Sequence, residues 1–157
     1  MKKQMSVANL VMLAGSVVAF IFSFLSFYKF GDEGRSAWSG DAFAFATAVP
    51  AILALALAVV IVLELAGVDL PAEVLTFNWA QIKATWGIAA LGIMLSWLTV
   101  DTGGADKGAG FWLMFLGSIA MAVGAIMALL GKGTETVKLG GSSTSDAAPP
   151  PPPPPAV

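Results

Sequence analysis

The chain has 157 residues, 57% of them hydrophobic and 11% charged, with a net charge of −2 and neither Cys nor His. Soluble domains carry about 45–50% apolar and about 25% charged residues, so a soluble fold of this size would lack the charge to cover its surface. The missing Cys and His exclude thiol nucleophiles, disulfides, thiolate or imidazole metal sites and imidazole acid–base catalysis, and the 8 Lys and Arg form no patch that would suit nucleic acid.

Charge is absent from 25 residues between Lys3 and Lys29, 22 between Asp41 and Glu64, 17 between Lys83 and Asp101, and 24 between Lys107 and Lys132. A bilayer core about 30 Å thick takes about 20 residues of apolar helix, with a range of about 17–25. The pattern predicts four spans, over about residues 7–28, 43–63, 82–100 and 109–131. The fold expected is all-α: a polytopic membrane protein whose four-transmembrane-helix bundle fills residues 1–131, with a disordered tail over 132–157.

Lys2 and Lys3 ahead of an apolar run resemble a signal peptide. The run is longer than the usual stretch of about 7–15 residues and ends in aromatics, so it is expected to remain as a span. Span 1 closes with Phe24, Phe27, Tyr28 and Lys29, which suit an interface. Loop 1, over residues 29–41, holds Gly31, Gly34, Gly40 and four charges between Asp32 and Asp41, with Trp38 as an interfacial anchor.

Span 2 is rich in Ala, Leu and Val, and Pro50 predicts a kink or an irregular entry. Gly67 reads as its stop signal. In loop 2, Asp69-Leu70-Pro71 reads as a cap followed by a first turn, predicting a short interfacial helix over residues 71–83. Span 3 carries Trp86 and Trp97 near its ends, and the tight, glycine-containing loop after it places spans 3 and 4 side by side. Past span 4, residues 132–148 are Gly, Ser, Thr and scattered charge, the composition of a disordered linker. Seven consecutive prolines follow, Pro149 to Pro155, a polyproline II run of roughly 22 Å at about 3.1 Å per residue.

An even number of spans puts both termini on one side. Lys2, Lys3, Lys83, Lys132 and Lys138 would lie there, against Lys29, Arg35 and Lys107 on the other, which favours cytoplasmic termini.

Gly110, Gly117, Gly124 and Gly131 recur every seven residues in span 4, and Ala44, Ala51 and Ala58 do so in span 2. A seven-residue period keeps one seam on one face of the helix, and small residues there let backbones approach. The stripes serve packing inside the bundle, span 4 against span 2 or span 3, or the face of a homo-oligomer. No acid falls in mid-span, where a proton-coupled pathway would need one, and Glu64 at the end of span 2 fits an interface. Ser16, Ser23, Ser26, Thr47, Ser96, Thr99 and Ser118 read as hydroxyls bonded back to their own helices or as weak glue between helices. No Walker A, G-x-S-x-G or dinucleotide fingerprint is present. The loop acids Asp32, Glu33, Asp41, Asp101 and Asp106 share one membrane face, where a shared cation or ordinary solvated charge are both open. The proline run serves as a spacer or as a ligand for an aromatic groove.

Phe24-Leu25-Ser26-Phe27-Tyr28, then Ser36-Ala37-Trp38-Ser39-Gly40, and the proline-rich end together resemble small four-span membrane proteins of actinobacteria. Many of those have Leu-Pro-Trp where this chain has Leu25-Ser26-Phe27. The resemblance covers layout and implies no activity. It does not extend to small multidrug exporters, which need an acid in span 1, or to claudins, which need paired cysteines.

The expectation is therefore a non-catalytic, multi-pass plasma-membrane protein with no cofactor, acting in the cell envelope as a structural or accessory component. Its partners would be the lipid bilayer, a second copy or another membrane protein, and a cytoplasmic protein for the tail. The alternative is a small transporter or channel subunit.

Overall fold

The structure, a computed structural model, describes residues 4–39 and 44–138. In chain order it contains β1 (Gln4–Ser6), α1 (Val7–Phe22), β2 (Ser26–Phe30), β3 (Glu33–Ser36), α2 (Ala44–Ala66), β4 (Glu73–Val74), β5 (Phe77–Asn78), α3 (Trp79–Thr99), β6 (Asp106–Lys107), α4 (Ala109–Leu129) and β7 (Thr136–Lys138). The four helices alternate in direction and form a ring: each packs on its chain neighbours, and α1 closes on α4. Three of them, α2, α3 and α4, are long and apolar enough to cross a membrane, while α1 is a shorter apolar helix of 16 residues.

The chain is mostly helical, as expected, and adds to its four helices short strands at both ends of the bundle. At one end β2 is the centre of a three-stranded antiparallel sheet, with β3 on one side and β6 on the other. Span 1 was expected to run to residue 28, but α1 stops at Phe22. Ser23 makes the stop: its hydroxyl donates to the Phe20 carbonyl at 2.6 Å and accepts the Trp38 indole N–H at 2.8 Å, and its carbonyl accepts the Ala37 N–H. These bonds draw loop 1 back over the helix end.

At the opposite end β1 pairs with β7, Met5 opposite Val137. The predicted disordered linker is thus ordered as far as Lys138, and the rest of it, with the whole proline run, lies outside the described residues. Loop 2 holds no helix at 71–78. It forms the hairpin β4–β5, and α3 begins only where Asn78 and Gln81 make a reciprocal capping box. Helix α2 runs from Ala44 through Pro50 without an irregular entry. Its end is a Schellman turn: Gly67 has φ +77°, its N–H bonds the Glu64 carbonyl, and the Val68 N–H bonds that of Leu63.

Aromatic side chains plug the bundle beneath the three-stranded sheet. Phe27 is fully buried and meets Trp97 and Phe111 edge to face, with centroids 6.1 and 5.2 Å apart. Tyr28, the only tyrosine, meets Trp97 at 5.9 Å. Its buried hydroxyl has no hydrogen-bond partner among the described residues, and burial pushes its pKa from 10.0 up to about 12.

A raised pKa means the folded state favours the protonated phenol. This contribution to stability is complete below pH 10 and is lost as the pH climbs toward 12. Tyr28→Phe removes both the unpaired hydroxyl and the ionisation. The melting temperature of the variant should equal or exceed that of the wild type at neutral pH, and should fall less between pH 10 and 12. Thermal unfolding in detergent across that range checks it, and equal alkaline losses would contradict it.

Candidate functional site

Two features tie the bundle together: a seam of small residues between α1 and α4, and a charged cluster at the end where β1 and β7 pair. The seam takes up three of the four predicted glycines of span 4. A Cβ placed on Gly117 would lie 2.7 Å from both the Ala19 nitrogen and the Gly15 carbonyl oxygen. One on Gly124 would lie 2.8 Å from the Ala8 carbonyl oxygen, and one on Gly110 would lie 2.7 Å from that of Leu25. The approach is reciprocal, since a Cβ on Gly15 would meet the Gly117 carbonyl oxygen at 2.6 Å. The helix against this face is α1, where span 2 or span 3 was expected.

The fourth glycine does other work. Gly131 has φ +65° and open space around it, and it closes α4 in a second Schellman turn, with the Lys132 N–H on the Met127 carbonyl at 2.8 Å. In α2, Ala51 is fully buried, Ala58 is half-buried, and Ala44 begins the helix. The deeper stripe of that helix runs through Thr47, Ala54, Leu57 and Ile61. Sequence reasoning missed Gly15, whose signal was Gly15-x-x-x-Ala19, a small-residue pair at helical spacing.

The charged cluster joins three helices. Lys83, in the first turns of α3, places its ammonium 3.0 Å from both carboxylate oxygens of Glu64 at the end of α2. The same ammonium donates to Asn9 Oδ1 of α1 at 3.3 Å, and Asn9 Nδ2 donates to Glu64 Oε2 at 3.4 Å. The Lys83 side chain is 8% exposed and that of Glu64 28%. All three residues are donors or acceptors to one another, so a buried cation is held without an unpaired partner. A cleft of about 410 Å³ opens beside the cluster, lined by Gln4, Met5, Ser6, Asn9 and the α2 end from Glu64 to Gly67. From sequence alone Glu64 reads as an interfacial acid and Lys83 as a charge at the end of loop 2. The available signal was opposite charge at the facing ends of consecutive antiparallel helices.

Other predicted polar groups are satisfied locally. The hydroxyls of Ser16, Ser96, Thr99 and Ser118 donate to carbonyls three or four residues back at 2.7–2.9 Å. Thr47 instead reaches the Ala37 carbonyl of loop 1 at 2.7 Å. The loop acids are spread apart in use: Glu33 pairs with Arg35, Asp101 accepts the Gly103 N–H, Asp106 stands in the sheet opposite Lys29, and Asp41 lies outside the described residues. Among the described residues no three of His, Cys, Asp and Glu gather into a metal-ligand set.

Comparison with protein-family models, with curated proteins and with solved structures finds no match in any of the three.

The seam predicts a difference between glycines. Gly117→Ala sets a methyl against backbone on both sides, and overpacking of this kind costs about 1–3 kcal/mol. Gly92→Ala in α3 meets nothing within 4 Å and should be neutral. Thermal unfolding in detergent separates the two, and equal behaviour would contradict the seam.

The cluster predicts an asymmetry. Glu64→Leu strands a buried ammonium, whereas Lys83→Met leaves a carboxylate that water reaches through the cleft. Loss of one partner costs about 3–5 kcal/mol in a fully buried pair, so Glu64→Leu should approach that range and Lys83→Met fall below it. The double variant should recover part of the loss in the same unfolding assay. Additive losses would show that the two residues are not coupled.

Proposed function

We propose that the chain is a non-catalytic, four-span protein of the plasma membrane, with both termini in the cytoplasm. It serves as a structural or accessory component of the cell envelope, acting through helix contacts and through its tail. One observation carries this reading: the bundle is apolar outside and polar in places inside. Val17 and Ile21 of α1, Leu55 and Val62 of α2, Ile88 and Leu95 of α3, and Leu116 and Val123 of α4 are all exposed. Ser16, Thr47, Lys83 and Ser118 are buried. Water penalises that arrangement, while lipid favours large apolar side chains outside and small or hydrogen-bonded residues between helices.

Crossing by α1 follows from the same logic. Its 16 residues measure about 24 Å at about 1.5 Å per residue, short of a core about 30 Å thick. The seam holds it backbone to backbone on α4, and the Phe22 and Leu25 carbonyls extend that approach over Gly110 toward the sheet. A thinned bilayer or tilt absorbs the remaining few ångströms.

A small transporter or channel subunit is the second reading, favoured by the buried Lys83 beside an open cleft. The first is preferred because both Glu64 oxygens already hold Lys83. In addition, Met12, Leu57, Ile61 and Met121 fill the bundle alongside the cluster.

Crosslinking in native membranes, followed by purification, tests the role. A defined neighbour or a second copy should be captured in stoichiometric amount. Recovery of monomer alone, together with ion or solute flux in proteoliposomes that Lys83→Met abolishes, would favour the second reading.

A further inference from the structure

We propose that the β4–β5 hairpin is a membrane-surface anchor, with Val74, Leu75 and Phe77 seated among lipid headgroups and the first acyl carbons beside α2 and α3. The inference rests on the membrane reading above. Every residue from Pro71 to Asn78 is exposed, and Leu75 at the tip is 87% exposed. Strands of two residues do not hold a hairpin in water without a surface to pack on.

The ribbon is two-faced. Val74 pairs with Phe77 and Glu73 with Asn78, and cross-strand partners share a face while neighbours alternate. One face is therefore apolar and the other polar. The turn makes the same point. Leu75 and Thr76 both adopt left-handed backbone, with φ +51° and +68°, where such turns favour Asn-Gly. The β2–β3 turn meets a similar demand with Gly31, at φ +59°, followed by Asp32. One hairpin tip is thus built for water, and the other accepts steric strain to display a leucine.

The feet of the hairpin are at the right depth. The apolar part of α2 ends at Ala66 after 22 residues and α3 begins at Trp79 with 21, about 33 and 31 Å of helix at about 1.5 Å per residue. Either length matches a hydrocarbon core about 30 Å thick, so both feet stand at its edge. Trp79, whose indole donates to the Pro71 carbonyl at 2.9 Å, is the residue type that settles at that level. The lipid-facing surface of α2 and α3 thus runs on into the hairpin.

The chain has no cysteine, so single-cysteine variants take one environment-sensitive label each. Leu75→Cys, Asp32→Cys and, on the outer face of α2, Leu55→Cys would be labelled and reconstituted into phosphatidylcholine–phosphatidylglycerol vesicles. The label at 75 should be quenched several-fold more by lipids spin-labelled near the headgroup than by an aqueous quencher, and that at 32 the reverse. Adding Val74→Ser and Phe77→Ser should return the label at 75 to the aqueous behaviour. A label at 75 quenched from water while that at 55 is quenched by deep lipid probes overturns the anchor and leaves the membrane reading intact. Aqueous quenching at both positions overturns both. Lipid quenching at 75 that survives the serine changes overturns the anchor, because the label alone would be seeking lipid.

Discussion

The close approach of α1 and α4 is the constraint on which the rest of the bundle depends. Gly15 and Gly117 each stand where the other helix's backbone leaves no room for a side chain, and Gly110 and Gly124 extend the contact above and below. In lipid, apolar side chains gain little by meeting one another, since acyl chains are as apolar as leucine. Helices associate through dispersion contacts and interhelical hydrogen bonds, and glycine maximises the first by letting backbones touch. The seam joins the first helix to the last, so it closes the ring and brings β1 beside β7 at one end and β2 beside β6 at the other.

Each end of the ring is then fastened differently. At the sheet end the fastening is aromatic, with Phe27 between Trp97 and Phe111. At the other end it is ionic, with Lys83 held by Glu64 and Asn9. An ion pair whose cation is buried is weak evidence for stability, because desolvation of the ammonium offsets much of the attraction. Its value lies in specificity: only one register of α1, α2 and α3 brings the three groups together.

How much of this was legible in the sequence depends on the interaction. The helices showed as uncharged runs because hydropathy is a property of composition. The glycine period of span 4 showed because seven-residue spacing marks one face. Its partner did not, since a stripe of small residues records that a backbone comes close and not whose it is. The end of α1 was hidden because Ser23 to Phe30 stays apolar enough to pass as helix. The aromatic density of Phe27-Tyr28-Lys29-Phe30 was the available signal, since aromatic residues favour strands. Loop 2 misled in a similar way: Asp69 and Pro71 look like a helix start, yet the cap that acts is Asn78 with Gln81. The charged cluster was unreadable residue by residue, because Lys83 becomes a buried cation only when Glu64 faces it.

The four-span account requires that α1, the shortest helix, cross the bilayer. Single cysteines at Gln4 and at Asp32 place a probe beyond each of its ends. In sealed, oriented vesicles a membrane-impermeant maleimide should label one of the two from outside, and the other only after the vesicles are opened. Labelling of both positions from the same side would contradict the account.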